Sequence, residues 1–109
     1  MISVVIPAFN RSDSLQNCIE SVMQQRFDGL ELIVIDDGSS DCTAELLGKL
    51  KERYTDMIVI SNPGNFGVNY SRNRGIEKTS GKFILFLDSD DRLADGCLRR
   101  IADTINSNP

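Results

Sequence analysis

The sequence predicts an α/β fold, a parallel sheet of four βα units with helices on both faces. Three observations carry it. Short apolar, β-branched runs alternate with segments whose apolar residues recur at helical spacing. Each run stops at a cluster of Pro, Gly, Asn or Asp. The fourth run, Phe83-Ile84-Leu85-Phe86-Leu87, is apolar throughout, the pattern of a strand covered on both faces. Strands alternating with helices pair in parallel through right-handed crossovers. With 109 residues, 40% hydrophobic and 26% charged, the chain is one soluble domain able to bury its own core.

Each element follows in order. Ile2-Ser3-Val4-Val5-Ile6 is the first strand, stopped by Pro7, which cannot donate to a ladder. A helix from about Ser12 to Gln25 carries Leu15, Ile19, Val22 and Met23 on one face, with Ser12 or Asp13 as its cap. The second strand is Leu30 to Ile35, ending at Asp36-Asp37-Gly38-Ser39-Ser40. Asp41 or Ser40 caps the next helix, which runs through Ala44, Leu46, Leu47 and Leu50 to Tyr54. Met57 to Ser61 is the third strand, ending at Asn62-Pro63-Gly64-Asn65. A short polar helix from Gly67 to Lys78 follows, with Gly75 expected at a close packing contact. Lys82 to Leu87 is the fourth strand, and Asp95 to Ile105 a last amphipathic helix on Leu98, Ile101, Ala102 and Ile105.

The charge balance narrows the chemistry. Net charge is −4, which argues against nucleic acid as a partner. An acidic chain that holds phosphate needs a metal, a few placed Arg or Lys side chains, or helix N-termini. There is no His, so acid–base work falls to carboxylates, Lys, Tyr or Cys. Three cysteines, Cys18, Cys42 and Cys97, at no C-x-x-C spacing point to a reducing compartment without disulfides. Cys18 and Cys97 read as small core fillers. The N-terminus enters a strand without a leader, and no apolar run reaches membrane-spanning length, so a cytoplasmic location is expected.

In such sheets ligands sit beyond the carboxyl ends of the strands, at a switch point. Polar residues gather there: Pro7-Ala8-Phe9-Asn10 after strand one, Asp36-Asp37-Gly38-Ser39 after strand two, Asp88-Ser89-Asp90-Asp91 after strand four. In an extended segment Asp88 and Asp90 point the same way and Ser89 elsewhere. Two hard oxygen ligands at that spacing suit Mg²⁺ or Mn²⁺, a substrate phosphate completing the shell. The plainer alternative is an acidic turn that closes the strand. Asp36 and Asp37 are placed to accept from a ribose hydroxyl or the N–H of a uracil ring. An acidic helix N-terminus is the plainer reading there, and Asp41 fits it better. Arg72 is a candidate phosphate or base contact, against a solvated helix charge. Neither G-x-G-x-x-G nor a P-loop is present.

Ser3 to Asn10, Val34 to Asp41, Asn65 to Gly75 and Phe86 to Asp91 closely resemble, in order and spacing, the motifs of family-2 glycosyltransferases. The resemblance implies a Rossmann-like GT-A fold binding a nucleotide-sugar, usually a UDP-sugar. It implies that Pro7, Ala8 and Asn10 line the nucleotide pocket, that Asp37 with Asp36 holds the uracil ring, and that Arg72 touches base or diphosphate. Asp88-Ser89-Asp90 corresponds to the family's Asp-x-Asp, with Asp90 on the metal and Asp88 on ribose or a metal-bound water. The implied chemistry is inverting transfer to an acceptor hydroxyl, with Mn²⁺ or Mg²⁺ neutralising the leaving diphosphate. A carboxylate base and an oxocarbenium-like transition state go with it.

Family members are about twice as long or more, and their base and acceptor site follow the Asp-x-Asp. This sequence stops at Pro109, one helix past that motif, so the general base is expected beyond Pro109. By that likeness, residues 1–109 are the donor-nucleotide half, truncated and inactive alone. A glycan or lipid-linked acceptor, a place at the cytoplasmic face of the membrane, and self-association through an exposed apolar edge are further expectations. Two alternatives stand beside this: a non-catalytic nucleotide-binding module, and a phosphatase of the haloacid dehalogenase type. In the latter the Asp-x-Asp strand is usually first and a Thr or Val follows; here the strand is fourth and Asp91 follows.

Overall fold

The structure, a computed structural model, describes residues 2–107. Met1, Asn108 and Pro109 lie outside the described residues, as does the general base expected beyond Pro109. Four strands, β1 (Ile2–Ala8), β2 (Leu30–Asp36), β3 (Ile58–Ser61) and β4 (Phe83–Phe86), alternate with four helices. These are α1 (Leu15–Met23), α2 (Thr43–Arg53), α3 (Val68–Lys78) and α4 (Cys97–Ser107). The sheet is parallel throughout, in the order β3-β2-β1-β4. The chain winds outward from β1 to β3, then returns to place β4 on the other side of β1. The switch point therefore lies between β1 and β4.

Side-chain alternation assigns the two faces. Val4, Ile6, Leu32 and Val34 pack with Leu15, Ile19, Val22, Leu47, Leu50 and Leu98, the apolar stripes of α1, α2 and α4. Val5, Ile33, Ile35 and Ile60 form the core under α3. Fully buried side chains such as Ile6, Ile33 and Ile35 contribute about 1.5–3 kcal/mol each. The polar helix α3 seats itself through small residues: Gly67, Ser71 and Gly75 are spaced four apart, and Ser71 and Gly75 are buried. A Cβ on Gly75 would run into Val5 and stand 3.0 Å from Ile35 Cδ1.

The structure departs from the sequence expectations at several points of the fold. β1 continues through Pro7 to Ala8, with Pro7 opposite Ile35. Pro7 is tolerated because residues 3, 5 and 7 turn their backbone groups toward β4, whose pairing ends at Val5–Phe86 and Leu87 N–H to Val5 O, 3.0 Å. β4 is not covered on both faces. Among the described residues it is the outermost strand, and Phe83, Ile84 and Phe86 are 42%, 39% and 41% exposed. Continuous apolarity reports strand type, not neighbours, and so cannot tell an edge from a centre. α1 begins at Leu15 rather than Ser12, because residues 11–14 form tight turns in which Ser14 and Leu15 N–H both donate to Arg11 O. Cys97 is only half-buried, whereas Cys18 fills the core as expected. The N-cap of α2 is Cys42, which makes no side-chain capping bond, rather than Asp41 or Ser40; Asp41, one residue earlier, accepts from Thr43 N–H at 2.9 Å and Thr43 Oγ1 at 2.5 Å. Those bonds hold its carboxyl down at about 2.

Candidate functional site

A cavity of about 400 Å³ opens at the carboxyl ends of β1, β2 and β4, at the switch point. Pro7, Ala8, Asp37, Asp88, Ser89 and Asp90 line it, six of the residues singled out from the sequence. Phe9, Arg11, Asn65, Gly67, Val68 and Ser71 complete the wall. Asn10, Asp36 and Arg72 are not on it.

Asp37 is buried and busy. Its Oδ1 accepts from Asn62 Nδ2 at 2.8 Å and Phe66 N–H at 2.9 Å, and Oδ2 from Gly67 N–H at 2.9 Å. Burial pushes its carboxyl up, but the bonds from Phe66, Asn62 and Gly67 outweigh it and hold the group below the usual carboxylate range. This carboxylate thereby shapes the loop that leads into α3. The Ser71 hydroxyl is a further partner of the same carboxylate and also holds the carboxyl down. Gly38, at φ +72°, lets the next loop pass: a Cβ there would stand 2.5 Å from Gly64 C. Asp36 turns away, accepts from Ser39 N–H at 3.0 Å and sits on the α2 side of the sheet with Leu47 and Lys51. Asn10, at φ +52°, accepts from Ser40 N–H at 2.9 Å and ties the β1 and β2 loops together.

The Asp88–Asp91 segment is not extended but a turn, closed by Asp91 N–H to Asp88 O at 3.0 Å. The turn adds Asp91 to the pair: one carboxylate oxygen from each of Asp88, Asp90 and Asp91 lies within 4.8 Å of the others. All three are exposed, while Ser89 between them is buried. Three hard oxygen donors in one open cluster fit a divalent cation that keeps waters and phosphate oxygens as its other ligands. Arg72 reaches this cluster from α3, with Nη2 3.4 Å from Asp88 Oδ1 and its guanidinium over the Phe86 ring at 5.6 Å. Its Nε is buried without a hydrogen-bond partner among the described residues. Cys18 lies under the turn and donates to Asp88 O at 3.4 Å. Burial first, then Asp91, Asp90 and Asp88, pushes its thiol up to about 12, so it stays protonated.

Sequence reasoning missed Arg11, Asn62 and Ser71. For Ser71 a signal existed, the small residues at 67, 71 and 75 on one helix face. For Arg11 the signal is its place directly after the Pro7–Asn10 motif. Asn62 acts through Asp37, through Ser71 Oγ, to which its Nδ2 donates at 3.0 Å, and through Arg74, whose Nη1 donates to its Oδ1 at 2.7 Å, pairings no local pattern announces.

The Glycosyl transferase family 2 profile matches residues 3–109. The chain is 38% identical over 107 residues to the GalNAc(5)-diNAcBac-PP-undecaprenol beta-1,3-glucosyltransferase of Campylobacter jejuni, covering 96% of this chain and 34% of that protein. It is 35% identical over 102 residues to the poly(ribitol-phosphate) beta-glucosyltransferase of Bacillus spizizenii, covering 91% and 16%. Its fold superposes on S. aureus TarS 1–349 in complex with UDP-GlcNAc at a TM-score of 0.89 and 28% identity, over 97% of this chain and 31% of that one. The mannosyltransferase PcManGT from Pyrobaculum calidifontis, in complex with GDP-Man and Mn²⁺, shares the fold at a TM-score of 0.82 and 20% identity, over 89% and 30%. The chain spans less than half of the length of each of these proteins. Parallel sheet, switch-point cavity, acid cluster and a profile match over nearly every residue agree: the chain belongs to glycosyl transferase family 2.

Proposed function

We propose that this chain binds the nucleotide-sugar donor, a UDP-sugar, for inverting transfer to an acceptor hydroxyl. The observation that carries the reading is the convergence of Asp37, Asp88 and Asp90 on one cavity at the switch point. That TarS is similar in fold, and forms complexes with UDP-GlcNAc and with UDP, supports the choice of donor. In this reading Pro7 and Ala8 form the apolar floor under the base, and Asp37, which lines the same cavity, accepts from the uracil N–H. Asp36 and Asn10 act from behind, by holding the loops. Arg72, with its unpartnered Nε, and Arg11 offer donors to phosphate or base oxygens. Asp90 and Asp91 hold a divalent cation, with Asp88 shared between it and Arg72. That cation, Mn²⁺ or Mg²⁺, would supply Lewis-acid neutralisation of the departing diphosphate. Buried Ser89 orients the turn from beneath.

We place the carboxylate base and the acceptor site, glycan or lipid-linked, beyond the position of Pro109, in the part of longer relatives that this chain does not match. The cytoplasmic placement rests on the three unpaired thiols. Among the described residues no helix is long and apolar enough to cross a membrane. Self-association is favoured by the exposed apolar side chains of β4 and is tested by sedimentation.

Calorimetry of the chain with UDP, with and without Mn²⁺, tests the site. Metal-dependent binding that disappears in Asp90→Ala is expected. Binding indifferent to both metal and substitution would overturn the assignment. UDP binding without sugar transfer in a longer, acceptor-competent relative carrying these residues would favour the non-catalytic module instead.

A further inference from the structure

After β4 the chain runs from Leu87 to Gly96 without regular secondary structure. Its backbone groups must find partners outside the sheet. They find them on α1. Ser14 Oγ donates to Ser89 O at 3.1 Å, and Cys18 Sγ to Asp88 O at 3.4 Å. Ser21 Oγ accepts from Leu93 N–H at 3.0 Å. Just past the helix, Gln25 donates through Nε2 to Ala94 O at 3.0 Å and accepts at Oε1 from Leu98 N–H at 2.8 Å. The four side chains are spaced by four, three and four, which is one stripe of a helix. Ser14 stands at the N-cap position yet makes no capping bond; its hydroxyl goes to the carboxylate turn instead.

We propose that Ser14 and Cys18 are positioning residues for the carboxylate turn, setting the spacing of Asp88, Asp90 and Asp91 and so the affinity for a divalent cation. The proposal rests on the metal-binding reading of that turn. The stripe divides in two. Its upper pair grips the carbonyls of the acidic turn itself. Its lower pair, Ser21 and Gln25, grips residues past the acids and anchors α4. Partners standing behind metal ligands typically alter metal affinity by about 10–100-fold.

Mn²⁺ titration of the chain by calorimetry, with thermal unfolding in parallel, tests this. Ser14→Ala and Cys18→Val should each weaken Mn²⁺ about tenfold. Ser14→Thr, which keeps the hydroxyl, should bind as the parent does. Ser21→Ala should lower Tm and leave Mn²⁺ affinity unchanged. Parent-like affinity in both Ser14→Ala and Cys18→Val would overturn the proposal. So would an equal loss in Ser21→Ala, since the effect would then be general loosening. Should Ser14→Ala not fold, Cys18→Val against Ser21→Ala carries the same decision. Asp90→Ala separates the layers: if it binds Mn²⁺ like the parent, the metal reading itself fails, whereas loss there with none in Ser14→Ala and Cys18→Val sinks only the positioning role.

Discussion

Two acid clusters end two strands of one sheet, and they read alike in sequence: Asp36-Asp37 after β2, Asp88-Ser89-Asp90-Asp91 after β4. The fold uses them in opposite ways. Asp36 and Asp37 are buried and directed at backbone N–H groups and Asn62. Asp88, Asp90 and Asp91 face solvent, and among the described residues the side chain that pairs with them is Arg72, on Asp88. The difference comes from the strands. β2 is central, and two loops crowd its end; among the described residues β4 is the outermost strand. An acid surrounded by unpaired N–H groups serves the scaffold as well as the cavity it lines, and an acid without them is left to a ligand.

The sharpest way to break this contrast is to remove one acid from each cluster. Asp37→Ala leaves the Asn62 amide and the Phe66 and Gly67 N–H groups without their acceptor, and should cost about 2–4 kcal/mol in urea unfolding. Asp90→Ala should change stability by less than about 0.5 kcal/mol while abolishing divalent-cation binding. Equal destabilisation would erase the distinction. Gly38→Ala is next: at φ +72° and against the Gly64 backbone it should cost about 1–3 kcal/mol, read from the same unfolding curves.

Acid titration sharpens the comparison further. The Asp37 carboxyl is lower in the folded state than its unfolded value of about 3.9. Its stabilisation is therefore complete above that value and is lost as pH falls through the lower folded one. Asp37→Asn should flatten that part of a Tm-against-pH curve, and a curve of unchanged steepness would deny Asp37 its structural role. A small effect belongs to Arg72→Ala. Its half-exposed pair with Asp88 and its place on Phe86 are worth less than about 1 kcal/mol in chemical denaturation, so a large loss would make Arg72 a scaffold residue.

Alternating strands and helices were legible because periodicity survives in any context, and so was the edge that would bear the site. Which acid serves which end was not. The division between Asp36 and Asp37 depends on loops about 25–30 residues away, Asn62 and Phe66 among them. The turn at Asp88 likewise needs Ser14 and Cys18, which stand 75 and 70 positions before the carbonyls they hold. Local pattern could not separate an extended Asp-x-Asp from a turn. Nor could five apolar residues say whether a neighbour lay beyond them.

Pro7 carries a last consequence. The ladder between β1 and β4 has its final rung at Leu87 N–H to Val5 O, and residue 7 would donate the next one. Proline has nothing to donate. The two strands are a zipper with a stop moulded into one rail, and the slider halts one residue short of Asp88. An alanine at position 7, in the cavity wall, would hand the slider one more tooth.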